Sequence, residues 1–115
     1  MRVDRARLRN YIFVATSEGA LRWTWDTAKD RTNRRKHGIG FATAALVFDD
    51  PLSLSRPDTY PDEERWQTVG LIGAATVLVV HTAPQPGQGG ERPGRIIGAR
   101  KAAPRERKAY EEGRF

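Results

Sequence analysis

Apolar and polar positions along this chain change period partway through. WTWD at 23–26 places two aromatics on one face of an extended segment, and Asp26 then stands where a helix N-cap would. The following TAKDRTNRRKH predicts a helix that stops at Gly38, with only Ala28, Thr32 and the stem of Arg35 available as buried contacts. In FATAALVF at 41–48, Phe41, Ala44, Ala45 and Phe48 recur at i, i+3, i+4 and i+7, a second helix with a core stripe, broken by Asp49, Asp50 and Pro51. Beyond residue 51 the runs become short and strand-like. LSLS at 52–55, RWQTVGLIG at 65–73 and TVLVVHT at 76–82 predict strands, the last two joined by a tight turn as an antiparallel hairpin. RPDTYPDEE at 56–64 is a polar loop. The glycine- and proline-rich APQPGQGGERPG at 83–94 predicts a mobile connection without regular structure. RIIGARKA resumes as a strand from Arg95, and Pro104 suits the first turn of a last helix, PRERKAYEE, closed by Gly113.

The order is two N-terminal helices, an antiparallel sheet of about four strands and a C-terminal helix, an α+β arrangement. Such a sheet uses one face for the core and can leave the other open to a ligand. Residues 1–20 lack periodicity apart from a short strand candidate at Tyr11–Val14, so they read as an N-terminal extension to a single domain at 21–115. A length of 115 residues supports one hydrophobic core. Trp23, Trp25, Phe41, Phe48 and Trp66 are assigned to it, with base stacking a second use for Trp66.

Composition narrows the chemistry. The absence of cysteine removes disulfides, thiolate metal sites and a cysteine nucleophile, and fits a cytoplasmic protein. Two histidines leave too few imidazoles for a zinc site, and the adjacent Asp49 and Asp50 point apart with no third ligand nearby, so neither metal nor cofactor is expected. The five-residue run YIFVA is too short for a secretory core. Net charge is +6, concentrated at the ends: residues 95–115 carry seven cations against three anions, whereas 51–94 carry three against five. A basic surface draws polyanions through counterion release, without telling RNA from DNA. The same charges also serve as solvated guards on a sheet edge.

Several motifs, in order, bear on identity. WxWD at 23–26, NRRKHGIGF at 33–41, AALVFDDP at 44–51, ERW at 64–66, LVVHT at 78–82 and RIIGARKAxxRERxxY at 95–110 together resemble the BrnT toxins of bacterial type II toxin–antitoxin systems. The resemblance spans residues 23–112 and implies a RelE-like fold, metal-independent cleavage of RNA that arrests growth, and a partner antitoxin, BrnA, that binds both toxin and DNA. The chain departs from the family pattern in its first 20 residues, in Gly98 where serine is common, and in the longer 83–94 loop.

Cutting RNA through its own 2′-hydroxyl needs a base for that proton, cations for the charge gathered on phosphorus, and an acid for the departing 5′-oxygen. Arginine suits the second task through forked contacts to phosphate oxygens. Arg100 is the favoured cation with Arg95 and Arg105 in support. Its neighbour Lys101 faces the opposite way on a strand and reaches RNA only if the strand twists or ends between them. Arg65 is a candidate phosphate clamp and Glu64 a candidate base, a cross-strand ion pair being the rival explanation for both. His81 is a candidate proton shuttle or a hydrogen-bonded structural histidine. His37 reads as a helix C-terminal cap and, secondarily, an RNA contact; Tyr110 either stacks on a base or packs helix to sheet. A non-catalytic nucleic-acid-binding or protein-interaction module using the same basic surface is the alternative function, and no membrane partner is expected.

Overall fold

The computed structural model describes residues 11–15, 21–87 and 90–115. Strands β1 (Tyr11–Ala15) and β2 (Leu21–Asp26) lead into helix α1 (Thr27–His37), then the short α2 (Phe41–Ala44) continued by a 3-10 turn over Ala45–Asp49. Next come β3 (Leu54–Pro57), β4 (Trp66–Ile72), β5 (Ala75–His81), β6 (Gln85–Gly87), β7 (Gly90–Arg92), β8 (Gly94–Lys101) and α3 (Pro104–Glu111). The arrangement is α+β, as expected. The short strand anticipated at Tyr11–Val14 is β1; the rest of the proposed N-terminal extension, 1–10 and 16–20, lies outside the described residues.

Two expectations are corrected. The sheet has six strands rather than about four, in the order β1-β2-β8-β5-β4-β3, and it is mixed, because β2 runs parallel to β8 through Trp23–Gly94, Thr24–Arg95 and Trp25–Ile96. A local pattern identifies WTWD as extended but carries no information about a partner seventy residues away. The 83–94 segment is also not devoid of structure: β6 and β7 pair as a small antiparallel ribbon, their backbone ladders tolerating a composition that argued for a loop. Gly94, where the ribbon meets β8, is required sterically. A Cβ there would lie 2.6 Å from both the Thr82 carbonyl oxygen and the Trp23 ring.

Local signals explain the helices. The Asp26 carboxylate accepts from the Ala28 and Lys29 N–H groups and starts α1, and Gly38, at φ +73°, ends it by donating its N–H to the Arg34 carbonyl. The expected contacts through Ala28, Thr32 and Arg35 do not form; those side chains are exposed. Two polar residues dock α1 instead. Asp30 accepts from the Phe41 N–H, and Asn33 hydrogen-bonds the backbone of Ile39 and Ala99. In the second helix the turn tightens after Ala44, so Phe41, Ala44 and Val47 share the core-facing side at 3-10 spacing, each fully buried, while Ala45 and Phe48 are half-buried.

One face of the sheet, under α1, α2 and the 3-10 turn, carries the core of Trp23, Trp25, Phe41, Val47, Val77, Val79 and Ile96. Burying side chains of this size stabilises by about 1.5–3 kcal/mol each. Trp23 stacks on Phe48 with ring centroids 3.8 Å apart. Trp66, assigned to the core, is half-buried. The opposite face receives α3 at one end only, through Tyr110 and Glu106. That leaves part of a face rich in arginine uncovered.

Candidate functional site

Strand alternation sorts the side chains of β8. Ile96 and Ala99 are in the core, and because they lie three apart a bulge sits between them, where the β5–β8 register slips at Val80/His81. The bulge restores the alternation so that Arg95 and Arg100 both face away from the core, roughly 16 Å apart at about 3.3 Å per residue. On β3 and β4 the same face holds Arg56 and its cross-strand partner Gln67; the Arg56 Nε donates to Gln67 Oε1 at 2.9 Å, and Gln67 donates to Asp58.

Two glutamates organise these cations. Glu63, in the loop before β4, accepts from Arg65 Nε at 2.9 Å and from Arg95 Nη2 at 2.6 Å with one and the same oxygen, Oε1. Burial works to raise its carboxyl, but the hydrogen bonds and charges of Arg65 and Arg95 hold it below the ordinary range. The Arg65 guanidinium also lies 3.7 Å from the centre of the Tyr60 ring, a cation–π contact that fixes its plane. Glu106, on α3, takes both terminal nitrogens of Arg100 (2.6 and 3.0 Å) and the Ala103 N–H, with Arg56 Nη2 at 3.6 Å. Hydrogen bonding to Glu106 raises Arg100 above its usual value, and the Arg100 bond lowers Glu106 against the opposing effect of burial.

Of the four arginines named from the sequence, Arg65 and Arg95 are brought together. Arg100 is on the same face but is tied to α3. Lys101 points the other way and is exposed, as alternation requires. Arg105 is exposed on the first turn of α3 and lines an open depression of about 610 Å3 with Arg56, Ala103, Pro104, Glu106 and Ala109. Glu64 is exposed and forms no hydrogen bond or ion pair among the described residues; its neighbour Glu63 takes that place. Parity was the available signal, since residues two apart in extended chain share a side and Glu63, not Glu64, is two from Arg65. Arg56, Asn33 and Asp50 are further residues that sequence reasoning missed, and no local pattern marks Arg56 or Asn33.

His81 is on the core face, away from the arginines. It is 5% exposed, packs edge-on against Trp23 and Phe48, and makes two hydrogen bonds: Nδ1 donates to the Thr82 carbonyl at 2.9 Å, so Nε2 accepts from the Thr68 hydroxyl at 2.6 Å. Thr68 is linked in turn to Ser55. Burial lowers the His81 pKa below 6.5, outweighing the opposing Thr82 carbonyl. The unfolded chain therefore binds the proton more readily than the folded one. Stability is complete above about pH 6.5 and falls as the pH drops from there towards the folded-state value. Urea midpoints measured from about pH 8 to pH 5 should show this decline, and His81→Gln should flatten it; equal slopes in both proteins would remove the assignment. His37 is exposed at the end of α1 beside Lys36, and the cap is supplied by Gly38. Tyr110 is 8% exposed and donates its hydroxyl to Asp50, which pushes its pKa up to about 12. Asp50 also accepts from the Leu71 and Leu52 N–H groups, which keep it ionised despite burial. Tyr110 thus joins helix to sheet.

Chemically, the uncovered face presents guanidinium groups from four chain segments, and two of them are already aimed at a single oxygen. Such a pair suits an oxyanion bearing one or two charges. The described residues include no group of three or more His, Cys, Asp or Glu side chains arranged to hold a metal ion. No described helix is long and apolar enough to cross a membrane. Compared with known proteins, the chain matches no curated protein, but residues 25–106 match a family model described as the ribonuclease toxin BrnT of type II toxin–antitoxin systems.

Proposed function

This chain belongs to the BrnT family of ribonuclease toxins of type II toxin–antitoxin systems, and on that premise we propose that it cleaves single-stranded RNA on the arginine face without a metal ion. The observation that carries the reading is the meeting of Arg65 and Arg95, thirty residues apart in sequence, on one carboxylate oxygen. Two guanidiniums held that way supply the electrostatic requirement of the reaction. The RNA 2′-oxygen attacks the adjacent phosphorus, negative charge gathers on the non-bridging oxygens, and the P–O5′ bond breaks to leave a 2′,3′-cyclic phosphate and a 5′-hydroxyl. Arg65 and Arg95 hold the charged oxygens. Arg56, Arg100 and Arg105 extend the positive surface along the strand path of the substrate. Lys101, facing elsewhere, contributes to long-range attraction only, and His37, exposed at the end of α1, is given no contact with the substrate.

His81 is given no proton-transfer role in this reading, because it lies on the core face. Solvent is left as the base for the 2′-hydroxyl and as the acid that protonates the departing 5′-oxygen, because Glu64, one residue from Arg65, faces the other side of the extended chain. The RelE-like fold implied by the resemblance is retained as part of the proposal, as is a domain spanning 21–115 that works in the cytoplasm. Membership of a type II system implies an RNA substrate and a cognate antitoxin; a BrnA-like, DNA-binding antitoxin that covers the arginine face in a hetero-oligomer is our reading of that partner.

The test is incubation of purified protein with single-stranded RNA in EDTA. Scission with cyclic-phosphate and 5′-hydroxyl ends is expected. Salt-sensitive binding with no scission at any protein dose would instead leave a non-catalytic binding module, and cleavage restored only by added metal would overturn the mechanism.

A further inference from the structure

We propose that Glu63 is a built-in competitor for the RNA phosphate: its carboxylate occupies the Arg65/Arg95 pair in the free protein and is displaced when a phosphodiester binds. This rests on the phosphate-binding reading of that pair and adds a specificity role to it.

The contrast between the two glutamates is the basis. Glu106 is fixed: both of its oxygens are bound, it also caps the Ala103 N–H, it is part of α3, and its side chain is 12% exposed. Glu63 has the opposite character. It belongs to no helix or strand, a single oxygen receives both arginines, and its side chain is 35% exposed. Its second oxygen makes no hydrogen bond among the described residues. The arginines do not both depend on it for their positions. Arg65 is also held by the Tyr60 ring, whereas Arg95 is fixed at its backbone, where the N–H donates to Thr82 Oγ1 at 2.8 Å, and among the described residues its guanidinium bonds Glu63 alone. Removing Glu63 therefore leaves one oriented guanidinium and a second, anchored on the same face by β8, free to turn to an incoming phosphate oxygen.

A carboxylate and a phosphodiester each carry one negative charge and accept the same forked contacts, so exchange of one for the other conserves the local charge. The consequence is selectivity by valence. A small monoanion gains little by replacing Glu63, since it forms the same contacts that it breaks. A strand that continues onto Arg56, whose side chain is 42% exposed and whose Nη2 lies a loose 3.6 Å from Glu106, and onto the exposed Arg105 gains contacts that Glu63 does not contest, and so displaces it.

The experiment compares the full chain with Glu63→Gln and Glu63→Ala, using anisotropy of a single-stranded 2′-deoxy oligonucleotide, which lacks the attacking hydroxyl and cannot be cut. Both variants are expected to bind about two- to fivefold more tightly, the factor corresponding to a partly exposed ion pair. Inorganic phosphate should compete measurably in the variants at concentrations that leave the wild-type protein unaffected. Unchanged or weaker oligonucleotide binding in a variant with native circular dichroism would overturn the proposal, and two substitutions guard against misfolding of either one. Wild-type binding and RNA cleavage are measured alongside. If the wild-type protein binds and cuts while the variants bind no more tightly, only the competitor role falls; if it does neither, the functional reading falls and takes this inference with it.

Discussion

Arg65→Ala is expected to lower the single-turnover rate of RNA cleavage by about 10²–10³-fold, the cost of removing one positioned donor from a developing oxyanion. Its effect on folding should be small. Arg65 is a partly exposed partner of Glu63, and pairs of that kind contribute about 0.2–1 kcal/mol, with the contact to Tyr60 adding about as much. The measurement is therefore a pair: cleavage rate at saturating protein, and urea midpoint. A large loss in the first with little change in the second is the expected result, and Arg65→Lys should recover little, because a lysine cannot reproduce a planar fork stacked on an aromatic ring. Arg100→Ala provides the contrast. Its terminal nitrogens are engaged with Glu106, so its loss should loosen α3 and lower stability, with a smaller effect on cleavage than Arg65→Ala. If the two arginines exchanged these phenotypes, the centre of the site would move to Arg100, and the Arg65/Arg95 pair would lose its place in the mechanism.

The roles of these arginines show where sequence reading reaches and where it stops. Arg65, Arg95 and Arg100 were all visible as cations on or beside predicted strands, because strand period and charge are local properties. Which of them meet is a question of register. The bulge between Ile96 and Ala99 sets it, and although an isolated strand glycine such as Gly98 is a local sign of a bulge, it does not say which side chains the bulge brings to one face. The same limit explains β2. Asp26, Gly38 and Pro104 act within a few residues and were read correctly as cap, stop and helix start, whereas pairing of Trp23–Trp25 with Gly94–Ile96 is a long-range event. For His81 two readings stood open, shuttle or structural residue. Its face, set by pairing with Trp66 and Ile96, puts it under Trp23 and Phe48.

The parallel pairing of β2 with β8 creates a problem that a single side chain solves, and Asn33→Ala is expected to expose it by destabilising the fold by about 3 kcal/mol. β2 pairs with β8 only as far as Trp25 and Ile96; beyond that point the chain has turned into α1, and the outer edge of β8 has lost its neighbour. Ala99 sits on that edge, 3% exposed, where water does not readily satisfy its peptide groups. The Asn33 side chain takes over as a substitute strand. Its Oδ1 accepts from the Ala99 N–H at 3.2 Å, and its Nδ2 donates to the carbonyls of Ala99 at 2.8 Å and Ile39 at 2.9 Å. A short amide offers its donor and its acceptor on separate atoms of one plane, as a peptide unit does. Alanine would orphan one buried donor and two acceptors. Aspartate would keep the bond from the Ala99 N–H but set a negative charge against two carbonyl oxygens, so Asn33→Asp should be about as harmful. Urea unfolding with an unchanged m-value would register both losses as shifts in midpoint. A loss below about 0.5 kcal/mol, the ordinary range for surface substitutions, would mean that Ala99 finds other partners and that the edge needs no cap. Because Ala99 immediately precedes Arg100, and α1 carries Arg34, Arg35, Lys36 and His37 in its last turn, the same amide also fixes where much of the basic surface stands relative to the sheet.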